Sequence, residues 1–181
     1  MHRRLHLPLL AALLLALAAA TGMVWWVVRT APDPAAPAPE RWFSVAAVID
    51  GDTIVVRGSG ERYTVRLLGI DTPEMARGKE VAPECFAREA TRRAKELLRG
   101  QKVRLETDPS QARYDQYGRL LAYVHTREGV MVNETLVREG FAREYTFKGR
   151  PYRYQERFRN AEAQARAEAR GRWDPQHCLR P

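Results

Sequence analysis

Residues 43–70 hold three short runs rich in β-branched residues, FSVAAVI, TIVVRG and RYTVRLLGI. Each is separated from the next by a short turn, at Asp50-Gly51 and then at Gly58-Ser59-Gly60. Connections this short join antiparallel neighbours, so the three runs are expected to form a meander. Asp-Gly between apolar runs is a strong hairpin signal, because glycine supplies a positive φ at no steric cost. The tetrapeptide DGDT also sets two carboxylates around that glycine. On those four residues alone it is a turn, and any further role for Asp50 and Asp52 depends on what the rest of the chain brings to the same edge.

Downstream, Phe86, Ala90, Ala94, Leu97 and Leu98 recur at helical spacing. Pro83 suits the start of that helix and Gly100 its C′ position. KVRLET and GRLLAYVHT read as strands, the second following the turn residues of YDQYG. NETLVREG reads as a short helix that Asn133 can cap and Gly140 can end. Tyr154, Phe158, Ala161, Ala165 and Ala169 mark a last helix that stops at Gly171. Three strands, a helix, two strands and two helices is the order of an α+β domain built on a five-stranded Greek-key β-barrel, the OB-fold, with three α-helices. That fold commonly binds nucleic acids, but a fold does not establish a function.

The domain is expected to span residues 41–181 and to be preceded by a hydrophobic helix. After the basic start MHRR, Leu7 to Val28 carries no charged residue, enough to span a bilayer core of about 30 Å. Ala18-Ala19-Ala20 offers a signal-peptide cleavage pattern, whereas MVWWVV continues the apolar run with Trp25 and Trp26 placed as interfacial anchors. Residues 1–29 are therefore a signal-anchor or a signal peptide. Either reading puts the domain outside the cytoplasm, tethered to the membrane or secreted. Residues 30–40, TAPDPAAPAPE, form an extended spacer. The chain of 181 residues carries a net charge of +8, which suits an anionic partner. Cys85 and Cys178 are its two cysteines. Outside the cytoplasm such a pair tends to oxidise, and zinc-site spacing is absent.

A second acidic stretch is LLGIDTPE, residues 67–74. In a meander the end of the third strand returns to the same end as the first turn. Asp50 and Asp52 are then expected near Asp71 and Glu74. Like charges repel, so something positive is expected among them. Oxygen donors without histidine or cysteine favour Ca2+ or Mg2+. Arg66, in the strand that delivers Asp71, and Arg119, opening the strand after YDQYG, are either solvated strand residues or guanidinium forks for a phosphodiester.

Together AAVIDGDTIVV, VRLLGIDTPE, DQYGRLLAYV and MVNETLVREGFARE resemble the staphylococcal nuclease (thermonuclease) family over residues 43–173. The resemblance implies an OB-fold enzyme that hydrolyses DNA and RNA with Ca2+, leaving 3′-phosphate and 5′-hydroxyl ends. It implies that Asp52 and Asp71 are metal carboxylates, that the Thr72 backbone carbonyl is a third ligand, and that Asp50 acts on the metal through water. Arg66, Glu74 and Arg119 would be catalytic, Glu74 orienting or deprotonating the attacking water and the arginines holding the phosphate. Tyr145, Phe147 and Lys148 would contact the nucleotide. Gln116 stands where the family has a lysine, Phe147 where it has a second tyrosine, and the first loop keeps only Arg77 and Lys79 around Gly78. Trp173 matches a structural tryptophan of the family. Cys85 and Cys178 fall outside the staphylococcal pattern, so their pairing rests on compartment alone.

The expected substrate is therefore DNA or RNA, favoured where single-stranded or locally unpaired, cut with little sequence preference by a monomer. Two other classes remain: a non-catalytic nucleic-acid-binding OB-fold module on a membrane anchor, and an adhesion or scaffold domain on a membrane stalk.

Overall fold

The computed structural model describes residues 41–58, 60–76 and 82–178. The N-terminal apolar run, the 30–40 spacer, Arg77 and Lys79 lie outside the described residues. Among those described, no helix is long and apolar enough to cross a membrane.

The elements in chain order are β1 (Trp42–Val48), β2 (Thr53–Gly58), β3 (Glu61–Leu67), β4 (Ile70–Asp71), α1 (Ala87–Leu98), β5 (Lys102–Glu106), β6 (Leu120–Thr126), α2 (Val132–Arg138), β7 (Arg143–Glu144) and α3 (Gln155–Ala167). Strands β1-β2-β3-β6-β5 close into a barrel, with β1 antiparallel to both β2 and β5. β3 and β6 run parallel, the one pairing that no short turn could make. This is the five-stranded barrel with three helices that the element order implied. Ile54, Val56, Val65, Leu67, Val103, Ala122 and Val124 are buried in one core with Leu136 and Phe158 from the helices. Closure removes the exposed edges that a five-stranded open sheet would leave.

Four boundaries differ from expectation, each for a packing reason. RYTVRLLGI does not run through as one strand. It breaks after Leu67, where Gly69 takes a φ of 79° beneath Tyr152 and Phe158. A Cβ on Gly69 would sit 2.7 Å from the Tyr152 ring, and the Tyr152 hydroxyl donates to the Gly69 carbonyl at 3.1 Å. After this corner Ile70 and Asp71 pair with Arg143 and Glu144 in a separate two-stranded sheet. Helix α1 starts at Ala87, not at Pro83, because Phe86 takes a φ of 72°, which breaks the helical run just before Ala87.

Asn133 is not a helix cap. It is fully buried inside α2, where it accepts from the Val124 N–H at 2.9 Å and donates to the Leu68 carbonyl at 2.9 Å. It thereby joins β6, α2 and the β3–β4 corner. Helix α3 ends at Ala167, and Ala169 is exposed with a φ of 49°. Beyond it Trp173 lies under the guanidinium of Arg166, 3.6 Å from the ring centroid, which fits a structural part for this tryptophan.

Candidate active site

The first acidic turn is built from backbone upward. Ile49 N–H donates to the Thr53 carbonyl at 2.9 Å, and the Asp50 carboxylate accepts from the Asp52 N–H at 3.2 Å. Such side-chain-to-backbone bonding is why aspartate suits turns. Gly51 lies against Thr72, where a Cβ would come within 2.8 Å of the threonine side chain. That close approach lets Thr72 reach Asp52: its N–H and its hydroxyl both donate to Asp52 Oδ2 at 2.9 Å. Asp52 is only 3 % exposed and Asp50 is also buried.

Strand β3 delivers a guanidinium into this nest. Arg66 forms an ion pair with Asp52 through Nη1 and with Asp71 through Nη2, the latter at 2.9 Å. Burial pushes the Arg66 pKa down, and Asp71 opposes that shift. Asp71 is held from its other side as well. In the β4–β7 pairing it lies directly opposite Arg143, whose Nε and Nη2 donate to Asp71 Oδ2 at 3.0 and 2.8 Å. Asp71 in turn raises the Arg143 pKa. The second positive charge in the neighbourhood, Arg119, is near enough to Arg66 to depress its pKa by repulsion. Arg119 is itself fixed by Asp115, which accepts from its Nε at 2.7 Å and from its N–H at 3.0 Å. These bonds hold Asp115 below the usual carboxylate range although burial opposes them.

The structure thus brings Asp50, Asp52, Arg66, Asp71 and Thr72 together, with Arg119 close by. The expected positive charge among the acids is present, and it is Arg66. Among the described residues no three acids, histidines or cysteines converge tightly enough to hold a metal ion. Guanidinium groups stand between the carboxylates. Glu74 is located by its main chain: its N–H donates to Glu84 Oε2 at 3.1 Å, and the Glu84 N–H donates back to its carbonyl at 3.0 Å.

Tyr145, Phe147 and Lys148 follow β7 in the chain, and the Tyr145 N–H donates to the Gly69 carbonyl at the β3–β4 corner at 3.0 Å. The Tyr145 and Phe147 rings are exposed, 6.4 Å apart, and Lys148 Nζ lies 5.3 Å from the Phe147 ring. Exposed Tyr117 adds a further ring, 5.3 Å from the Arg119 guanidinium.

Sequence reasoning missed Arg143, Asp115 and Glu84. Asp115 carried a signal, because it sits two residues before Tyr117 in a turn. Arg143 carried none, because its partner is 72 residues away in the chain.

With that geometry in view, the comparisons decide the family. Residues 64–175 match the family model described as "Staphylococcal nuclease homologue". The chain belongs to the staphylococcal nuclease family. The match contains Arg66, Asp71, Thr72, Glu74 and Arg119 and begins after the DGDT turn. A thermonuclease of Staphylococcus hyicus is 41% identical over 137 residues, covering 75% of this chain and 78% of that protein. The endonuclease YncB of Bacillus subtilis strain 168 is 40% identical over 126 residues, 69% of this chain and 58% of that protein. The SPbeta prophage-derived endonuclease YokF of the same organism is 40% identical over 126 residues, of which this chain covers 41% of the relative's length. The chain therefore spans about half the length of the two Bacillus relatives. In this nuclease family frame the Cys85–Cys178 bridge closes the segment after Glu74 onto the chain's C-terminal region.

Proposed function

We propose that this member of the staphylococcal nuclease family is a Ca2+-dependent endonuclease that hydrolyses DNA and RNA phosphodiesters with little sequence preference. The carrying observation is the shared grip of Asp52 and Asp71 on one buried arginine, Arg66, with a second arginine, Arg119, beside it. Relatives described as thermonuclease and endonuclease support the reading.

The donor set suits a hard divalent cation: Asp52, Asp71 and the carbonyl of Thr72 would hold Ca2+, with Asp50 acting through water. The site's carboxylates are already balanced by guanidinium charge, so the fit requires Arg66 to give up Asp52 and Asp71 to the ion. Arg66 is then available to the phosphate. When bound, the ion supplies Lewis-acid polarisation of the phosphoryl oxygen and a template for the attacking water.

The rest of the chemistry belongs to the chain. Glu74 accepts a proton from the attacking water. Water oxygen bonds to phosphorus, the P–O5′ bond breaks, the departing O5′ takes a proton from solvent water, and the products carry 3′-phosphate and 5′-hydroxyl ends. Arg66 and Arg119 hold the non-bridging oxygens and stabilise the charge that builds on them; loss of one such donor should cost about 3–4 kcal/mol of barrier. Tyr145 and Phe147 offer rings on which bases stack without sequence preference, and Lys148 adds charge for the backbone. Contacts of this kind favour single-stranded or locally unpaired nucleic acid. We also assign the protein to the outside of the cytoplasm, as a monomer tethered or secreted through its N-terminal apolar run. The Cys85–Cys178 bridge favours an oxidising compartment.

The test is degradation of single-stranded DNA with Ca2+ and with a chelator. Cleavage is expected only with Ca2+, and Glu74→Gln is expected to lower turnover by about two to three orders of magnitude with nucleotide binding kept. Binding without cleavage under every metal condition would overturn this reading in favour of a non-catalytic nucleic-acid-binding module.

A further inference from the structure

Helix α1 carries a line of cations that the site does not use. Arg88, Arg92, Lys95 and Arg99 follow one another at intervals of four, three and four residues, so they share one face. All four are exposed. At about 1.5 Å per residue the line runs about 16 Å. Among the described residues none of the four has an ion-pair partner, whereas their neighbour Arg93 is committed to Glu139 and Glu96. With Met75 they border a groove of about 420 Å³ in which Glu96 is the one acid among the described residues. Met75 follows Glu74 directly, so the groove opens beside the residue assigned to the attacking water.

We propose that this groove is a distal subsite for the substrate's own sugar–phosphate chain. A strand leaving the cleavage site past Met75 lies along α1 with its phosphates against Arg88, Arg92, Lys95 and Arg99. The proposal rests on the nuclease reading and extends it. Unpaired, exposed cations keep their full attraction for phosphate and need not break an internal contact first. Each phosphate they neutralise releases counterions, which strengthens binding without reading bases. The subsite therefore confers affinity for long strands and leaves the chemistry of the cleaved bond unchanged. An anionic lipid surface is the other polyanion an arginine-rich helix could meet. Interfacial helices bury an apolar face in the membrane, but in α1 Ala87, Ala90, Ala94 and Leu98 are already buried in the protein and Leu97 packs against its core.

The decisive variant is Arg92→Gln/Lys95→Gln in the full-length protein in detergent. Its control is Arg57→Gln/Arg62→Gln, an exposed cross-strand pair on β2 and β3 that removes the same charge elsewhere. For an oligothymidylate of about 30 nucleotides the α1 variant should raise KM about tenfold with kcat kept. For a dinucleotide, too short to reach the groove, kcat/KM should stay at the wild-type value. Anisotropy of the labelled long strand in chelator should show a salt slope shallower by about 1.4, two single-strand phosphate contacts fewer. The control should change none of these. An unchanged KM and slope, equal loss on the dinucleotide, or the same loss in the control would overturn the subsite. So would a variant that loses binding to phosphatidylglycerol vesicles and keeps the long strand. If no variant cleaves any substrate, the nuclease reading falls, and the salt slope still decides the groove.

Discussion

Helices α1 and α3 are both arginine-rich amphipathic helices packed on the same barrel, yet they use their arginines in opposite ways. On α3 the charges face acids of the protein itself. Arg157 pairs with Glu134 of α2, Arg159 with Glu144 of β7 at 3.7 Å, and Arg166 with Glu162 at 2.7 Å. Just ahead of the helix, Arg153 pairs with Glu106 of β5 at 2.6 Å. On α1, among the described residues, only Arg93 is paired in this way, to Glu139 next to α2. Composition does not separate the two helices. What separates them is whether the opposing surface carries carboxylates: where it does, arginine is part of the fold, and where it does not, arginine is free to meet an outside anion.

The contrast is tested most severely at the anchor of α3. Asp108 is buried and accepts four hydrogen bonds: from Tyr123 hydroxyl and Arg153 N–H at 2.7 Å each, and from Ser110 N–H and hydroxyl at 2.9 and 2.8 Å. Burial opposes its ionisation, but these donors hold its pKa below the usual range; burial and the Asp108 carboxylate in turn raise that of Tyr123. Asp108→Ala leaves the donors buried without a partner and should cost about 3–5 kcal/mol in urea unfolding. Amides of α3 should lose hydrogen-exchange protection well before those of α1. Equal loss in both helices would mean that the barrel, not the acid network, holds α3.

The disulfide comes next, because it joins the flanks of both helices. Cys85 lies just ahead of α1 and Cys178 beyond the end of α3, 93 positions further along the chain. Closing so long a loop restrains the unfolded chain, so Cys85→Ser/Cys178→Ser should lower stability by about 2–4 kcal/mol. Scanning calorimetry checks this. A variant that melts as the wild type does would show that the two helix flanks are held without the bridge.

Acid should dissect the helices in a known order. His125 donates to or accepts from Glu106 at 2.8 Å, and burial together with Arg104 pushes its pKa down. Burial resists charge on Glu106, but Tyr154, Arg153 and His125 hold its pKa down as well. His125, Glu106 and Asp108 all have folded pKa values below their unfolded ones. Their stabilisation is present above the unfolded value and is lost as pH falls through the folded one. His125 therefore begins to cost stability below about pH 6.5, and Glu106 and Asp108 below about pH 4. Each of these groups braces the N-terminal end of α3. Exchange measured from pH 7 downward should accelerate in α3 before α1, and simultaneous acceleration would break the contrast.

Much of this arrangement is legible in the sequence, and the illegible parts share a cause. Alternation and Gly turns mark β1, β2 and β3, and the meander rule alone puts Asp50, Asp52 and Asp71 at one end. What fails is anything fixed by a distant partner. The break after Leu67 follows from Tyr152 and Phe158 pressing on Gly69, and nothing in RYTVRLLGI signals it. Asn133 looks like a cap because local chemistry permits one, but Leu68 and Val124 claim its side chain. The clamp of Arg143 on Asp71 exists only once β4 meets β7. Arginine pairing is of the same kind, which is why the cations of α1 and α3 look alike on the page and differ in the fold.

The smallest effect is also the most direct comparison of the two helices. Arg157 grips Glu134 through Nε at 2.7 Å and through Nη2, although its own side chain is 53% exposed. Exposed pairs contribute little, so Arg157→Ala should cost no more than about 1 kcal/mol. Arg92 has no such partner among the described residues, and alanine is the better helix former, so Arg92→Ala should leave stability unchanged or raise it by a few tenths of a kcal/mol. Binding of single-stranded DNA should reverse the ranking, falling for Arg92→Ala and holding for Arg157→Ala. The two readouts must move in opposite directions, because an arginine already neutralised by the fold has little attraction left for phosphate. A loss of both stability and binding in Arg92→Ala would place α1 in the same class as α3.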